Sequence, residues 1–97
     1  MINPPPLIFH PSDTVWCVKE AMFVSGLSDR AVRRMCREHR IIQQAGPAAS
    51  IRINAAAFLM LIHDDQATLE LLRGDERSHP AVVRYFQAVR QILKTAA

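Results

Sequence analysis

VKEAMFVSGLSDRAVRRMCREHRI, residues 18–41, decides how this chain folds. Its first eight residues predict a helix from Val18 to about Ser25 with Cys17 in the cap position. Glu20, three residues on, is placed to reach back to the cap amide as in a capping box. Gly26 follows where a left-handed residue can end a helix, and Ser28 is a preferred N-cap for a second one. That second helix runs from Asp29 to about His39, with Asp29 beside the positive end of its dipole. At about 100° per residue, Ala31, Met35, Val32 and Cys36 form one apolar face. Arg30, Arg33, Arg34, Arg37 and Arg40 then share an opposite arc of roughly 120°. Crowded like charges lower stability unless an anion compensates. Guanidinium groups suit that role because their planar fork pairs bidentately with a guanine edge or a phosphate.

Outward from this segment, the pattern changes period. Val15-Trp16 predicts a short β-bridge on the N-terminal side. Ile41–Gln44 and Ser50–Ile53, joined across Ala45-Gly46-Pro47-Ala48-Ala49, predict a β-hairpin. Asn54 caps a third, strongly apolar helix from Ala55 to near His63, and Asp64-Asp65 breaks it. A short helix then runs to Arg73 and stops at Gly74. Ser78 is the expected cap of a last helix that carries Pro80 in its first turn. The stripe of that helix is Val82, Phe86, Val89 and Leu93, with Val83 and Ile92 on a second flank open to self-association. Pro4–Pro6 and Pro11 predict an extended or disordered arm over residues 1–13. The expected fold is mostly α with a small β-hairpin. Residues 14–63 form its core unit, and residues 64–97 a helical extension packed on that unit or on a partner.

Composition limits the functional classes. The chain has 97 residues, 49% hydrophobic and 22% charged, with a net charge of +3. That is one modest globular domain. Charge is zoned: residues 19–40 hold six basic and three acidic side chains, residues 41–75 two and four. No cationic, apolar leader pattern opens the chain, so no signal peptide is expected. The longest apolar run, Ala55–Ile62, is too short to span a bilayer, and no membrane partner is expected. Cys17 and Cys36 make no CxxC pair or disulfide framework, which points to a reducing cytoplasm. Cys36 and His39 lie one helical turn apart, but no further ligands complete a zinc spacing, so no metal is expected. Side chains of His63-Asp64-Asp65 diverge by about 100° per residue and do not converge on a substrate. Ser78-His79 lacks a nucleophile-elbow context. Trp16 and Phe58 read as core rather than as a base-stacking platform. With no glycine-rich phosphate loop either, neither catalysis nor a cofactor is expected.

Taken in order, residues 15–62 resemble the MerR/excisionase superfamily of winged helix-turn-helix proteins. Lys19, Glu20 and Ala21 match its first helix, and Gly26, Leu27 and Ser28 its turn. Arg30, Val32, Arg34, Arg37 and Glu38 match its second helix, Ile41 its first wing strand, and Arg52-Ile53-Asn54 its return strand and next cap. The resemblance implies that the second helix enters the major groove of double-stranded DNA while the hairpin lies along the adjoining backbone. Arg30, Arg33, Arg34 and Arg37 would then face the groove, with Ser28 and Lys19 near phosphate. Arg40 extends the basic arc, and Arg52 is the one cation left to serve the wing. It also implies an inward aliphatic at Leu27. Three positions depart from the pattern: His39 stands where glycine is usual, Phe23 where a polar residue is usual, and Gly46-Pro47-Ala48-Ala49 brings no cation to the wing tip. The implied function is that of an excisionase-like recombination directionality factor or small transcription regulator, with a site-specific recombinase or another phage or mobile-element protein as a protein partner and a homodimer as one assembly. Phage terminase small subunits use the same domain. The alternative class is a protein–protein adaptor that keeps the fold without DNA binding.

Overall fold

A computed structural model describes residues 4–44, 46 and 49–96, with side chains as far as Ile92. Among them are five helices and three short strands: β1 (Val15–Trp16), α1 (Val18–Ser25), α2 (Asp29–Glu38), β2 (Ile42–Gln43), β3 (Arg52–Asn54), α3 (Ala55–Ile62), α4 (Gln66–Arg73) and α5 (Pro80–Ala96). The strands form one antiparallel sheet in the order β1-β3-β2. Val15 pairs with Asn54, Trp16 and Ile42 with Ile53, and Gln43 with Arg52. The expected bridge at Val15-Trp16 is thus the third strand of the sheet.

Local chemistry sets most element ends. Glu20 Oε1 accepts from the Cys17 amide at 3.0 Å. Gly26 takes φ 74°, and Ser28 Oγ accepts from the Ala31 amide at 3.1 Å. Asn54 is both the last residue of β3 and the cap of α3, its Oδ1 accepting from the Ala57 amide at 3.1 Å. Helices α2, α3 and α4 all close in one way. A left-handed residue (Arg40, Asp64 or Asp75) follows the C-cap, and the next amide reaches back over the last turn. Those amides are Ile41 to the Cys36 carbonyl, Asp65 to Met60 and Glu76 to Leu71. This is the Schellman geometry, usually given to glycine.

Several boundaries differ from those expected. Helix α2 ends at Glu38, and Ile41 completes its closure, so strand β2 starts at Ile42 rather than Ile41. Strand β3 begins at Arg52, two residues later than the sequence pattern suggests. Asp64 closes α3 while Asp65 caps α4, accepting from the Thr68 amide at 3.2 Å. At α4 the left-handed residue is Asp75, since Gly74 stays at φ −80°. Ser78 does not cap α5. His79 takes that place: its Nδ1 accepts from the Ala81 amide at 3.2 Å and its carbonyl from Val83 at 3.0 Å, because Pro80 occupies the first helical position.

Nearly all of α3 is buried, residues Ala55 to Met60 among them, and α4 and α5 pack on it. One continuous core joins Trp16, Ala21, Val32, Cys36, Ile41, Ile53, Phe58, Leu69, Leu72, Val82 and Val89. Trp16 and Phe58 meet edge-to-face at 6.2 Å, as core residues. On α5, Val82 and Val89 are buried and Phe86 half-buried, while the side chain of Leu93 lies outside the described residues. The described part of the N-terminal arm has no regular structure but is packed, not free. Leu7 is buried, and its amide donates to the Arg40 carbonyl at 3.0 Å. Arg73 Nη1 donates to the Pro5 carbonyl at 3.0 Å, and Arg77 Nη2 to the Ile8 carbonyl at 2.9 Å.

The arm is fastened by a long-range ion pair. Asp13, with a side chain 5% exposed, accepts both terminal nitrogens of Arg77, whose side chain is 17% exposed. The same carboxylate accepts from Asn54 Nδ2 at 3.2 Å and from the His10 amide at 2.9 Å. Arg77 also pairs with Asp75, which faces His10 Nε2 at 3.0 Å. Burial alone would lower the Arg77 pKa. Its hydrogen bonds to Asp13 and Asp75 outweigh that and hold it above its ordinary value. Asp75 is correspondingly held below the usual carboxylate range, chiefly by its hydrogen bond from Arg77. No helix among the described residues is long and apolar enough to cross a membrane.

Candidate nucleic-acid interface

Helix α2 buries Val32 and Cys36 and half-buries Ala31 and Met35, turning every arginine it carries outward. Burial pushes the Cys36 thiol up to about 12, so it packs as a neutral apolar group. Arg30, Arg33, Arg34 and Arg37 are all exposed and span about 100° of the opposite face. Asp29 meets Arg33 through a 2.7 Å contact from Nε to Oδ1. An acidic residue opening the helix is spaced i,i+4 from Arg33, a pairing that the sequence reading did not draw. At an exposed site such a pair stabilises by only about 0.3–0.5 kcal/mol, so an incoming anion displaces it at little cost.

A groove of about 670 Å³ runs between α1, α2 and the β2–β3 hairpin. Lys19, Arg33 and Arg37 line it together with Cys17, Asp29, Gln44 and Ser50, over apolar sides that include Val18, Met22 and Ile51. Gln44 Nε2 donates to the Ala49 carbonyl at 2.7 Å and ties the hairpin end on the groove side. The tip residues Ala45, Pro47 and Ala48 lie outside the described residues. Gln44 and Ser50 are groove residues that sequence reasoning missed. Their signal was present: both are polar residues flanking a Gly-Pro turn, which places them at the mouth of any hairpin formed there.

The anticipated site residues therefore fall into distinct places. Lys19, Arg33 and Arg37 converge on the groove. Arg30 and Arg34 lie on the outer side of α2, and Ser28 is held as its cap. Arg40 is exposed but leaves the arc, because its φ of 54° puts it past the helix end, where the helical angle no longer describes it. Arg52 is exposed on β3 between inward-facing Ile51 and Ile53, so alternation turns it to the other face of the sheet and it does not line the groove. Leu27 is 37% exposed rather than inward, held in the short turn between α1 and α2, where its amide donates to Ser25 Oγ at 3.1 Å. Phe23 is 69% exposed on α1.

Elsewhere, Asp65 accepts from Thr68 Oγ1 at 2.7 Å and from the Tyr85 hydroxyl at 2.9 Å. These bonds, those from Thr68 first, hold its carboxyl below the usual range. Burial, and then the bond to Asp65, raise the Tyr85 phenol above its ordinary value. Asp65 acts here as a cap that also ties α4 to α5. Among the described residues no group of three or more His, Cys, Asp or Glu is placed to hold a metal ion. Comparison of the chain with protein-family models, with curated proteins and with solved structures found no match.

Proposed function

We propose that this chain is a sequence-specific double-stranded DNA-binding protein of the winged helix-turn-helix type, a binding protein rather than an enzyme. In this reading α2 enters the major groove, and Arg30, Arg33, Arg34 and Arg37 contact base edges and phosphates. Lys19 and the groove beside the hairpin follow one strand of backbone, with Ser28 near phosphate. The observation that carries the reading is the exposed arginine face of α2. Four guanidinium groups share it with one exposed ion pair, on a ten-residue helix whose other side is locked into the core. A helix of that diameter fits the major groove, and arginine is the side chain best matched to guanine edges. The roles that go with such a domain are excisionase-like recombination control or transcription regulation.

Titration of labelled duplex at two salt concentrations tests this. Each phosphate contact releases condensed counterions, so about four to six contacts make affinity fall roughly a hundredfold or more between 50 and 200 mM salt. Absence of duplex binding at low salt would refute the reading and leave a protein–protein adaptor in its place.

A further inference from the structure

We infer that Phe23 is a specificity-determining residue that contacts the 5-methyl group of thymine beside the bases met by α2. The inference rests on the DNA-binding reading above. Helix α1 buries Val18 and Ala21 and half-buries Met22 and Val24, so Phe23 is the one apolar side chain that it leaves 69% exposed. Lys19 stands one helical turn earlier on the same face and lines the groove with Arg33 and Arg37. The ring therefore lies one helical turn beyond a groove-lining cation, at the rim of the groove rather than inside it.

That setting chooses between partners. A stable protein interface needs roughly 800 Å² from each side, with an apolar, charge-depleted centre. One exposed ring a turn away from Lys19, with only the 37% exposed Leu27 following it in the chain, does not provide such a centre. A duplex offers the matching surface, since phosphates meet the cations and the thymine methyl is the apolar group displayed in the major groove.

Selection of duplexes from a random-sequence library by the full chain, and by its F23A variant, tests the assignment. The best wild-type duplex is then compared with the same duplex carrying deoxyuridine for thymine, which removes only the methyl groups. The expected result is about a fourfold loss of wild-type affinity per methyl read, the worth of one buried methyl group. F23A should bind both duplexes equally while melting like the wild type, because the ring contributes little to the core. Equal wild-type affinity for the two duplexes, or discrimination retained by F23A, overturns the inference and leaves the DNA reading intact. Failure to select any duplex overturns both.

Discussion

Replacing Asp13 with alanine should be among the most damaging single changes in this protein, although Asp13 lies in an arm with no regular structure. The carboxylate accepts both terminal nitrogens of Arg77, the Asn54 side chain and the His10 amide. Removing it leaves Asn54 Nδ2 without that acceptor at a residue 1% exposed, and takes from Arg77 its most buried counter-charge. Breaking a buried pair from one side costs about 3–5 kcal/mol. Arg77 keeps Asp75 and some contact with water, which lowers the expectation to about 2–4 kcal/mol. In a domain of this size each kcal/mol lowers Tm by about 4–8 °C, so the melt should move down by about 8–32 °C. Urea unfolding with an unchanged m-value is the assay, since it separates lost stability from a changed unfolded state. Hydrogen exchange should show the Leu7 amide, bonded to the Arg40 carbonyl, losing protection with it. D75A, at the exposed end of the network, should cost markedly less. A loss under about 1 kcal/mol for D13A would refute the idea that the arm is held by this pair.

Three further outcomes are expected. R34A and R37A should each weaken duplex binding about tenfold while leaving the fold intact, whereas V32A, at a fully buried site, should cost roughly 1–3 kcal/mol of stability; melts and titrations on the same variants check this, and normal binding by both arginine variants would remove α2 as the reader. Cys17 is exposed and Cys36 buried with its thiol pushed up to about 12, so a thiol reagent at pH 8 should titrate one equivalent in the native protein and two in denaturant; two native equivalents would contradict the burial. The Asp65 carboxyl is held low in the fold, so its contribution to stability is present above the unfolded value of about 4 and is lost as pH falls through its lower folded value; D65A should flatten the acid side of the stability profile, and an unchanged profile would count against the Thr68 and Tyr85 bonds.

Much of this architecture was legible residue by residue, because its determinants are local. Helix α1, the Gly26 turn, the Ser28 cap and the apolar stripe of α2 depend on residues three or four apart, and hydrogen bonds of that range are written in the sequence. The exposed faces of Arg30, Arg33, Arg34 and Arg37 followed from the same periodicity. Closure of α2 at Arg40 was harder to read. The geometry asks for a left-handed residue that is normally glycine, and here an arginine takes it while Ile41 packs into the core. The cap of α5 shifted for a different reason, since Pro80 fixes where the helix starts and leaves His79 before it.

The sequence by itself determined where the helices lie, which face of each is apolar, and that α2 gathers arginines on one side. Tertiary structure alone decided how those charges are divided. Lys19 joins Arg33 and Arg37 because α1 and the hairpin close over one flank of α2, and Arg52 is turned away by the pleat of β3. It also decided that the arm is part of the body. Asp13 and Arg77 are 64 residues apart, and no periodicity links them. Their pairing exists because β1, β3 and the start of α5 meet around the buried helix α3, where a charge left without its partner would be costly.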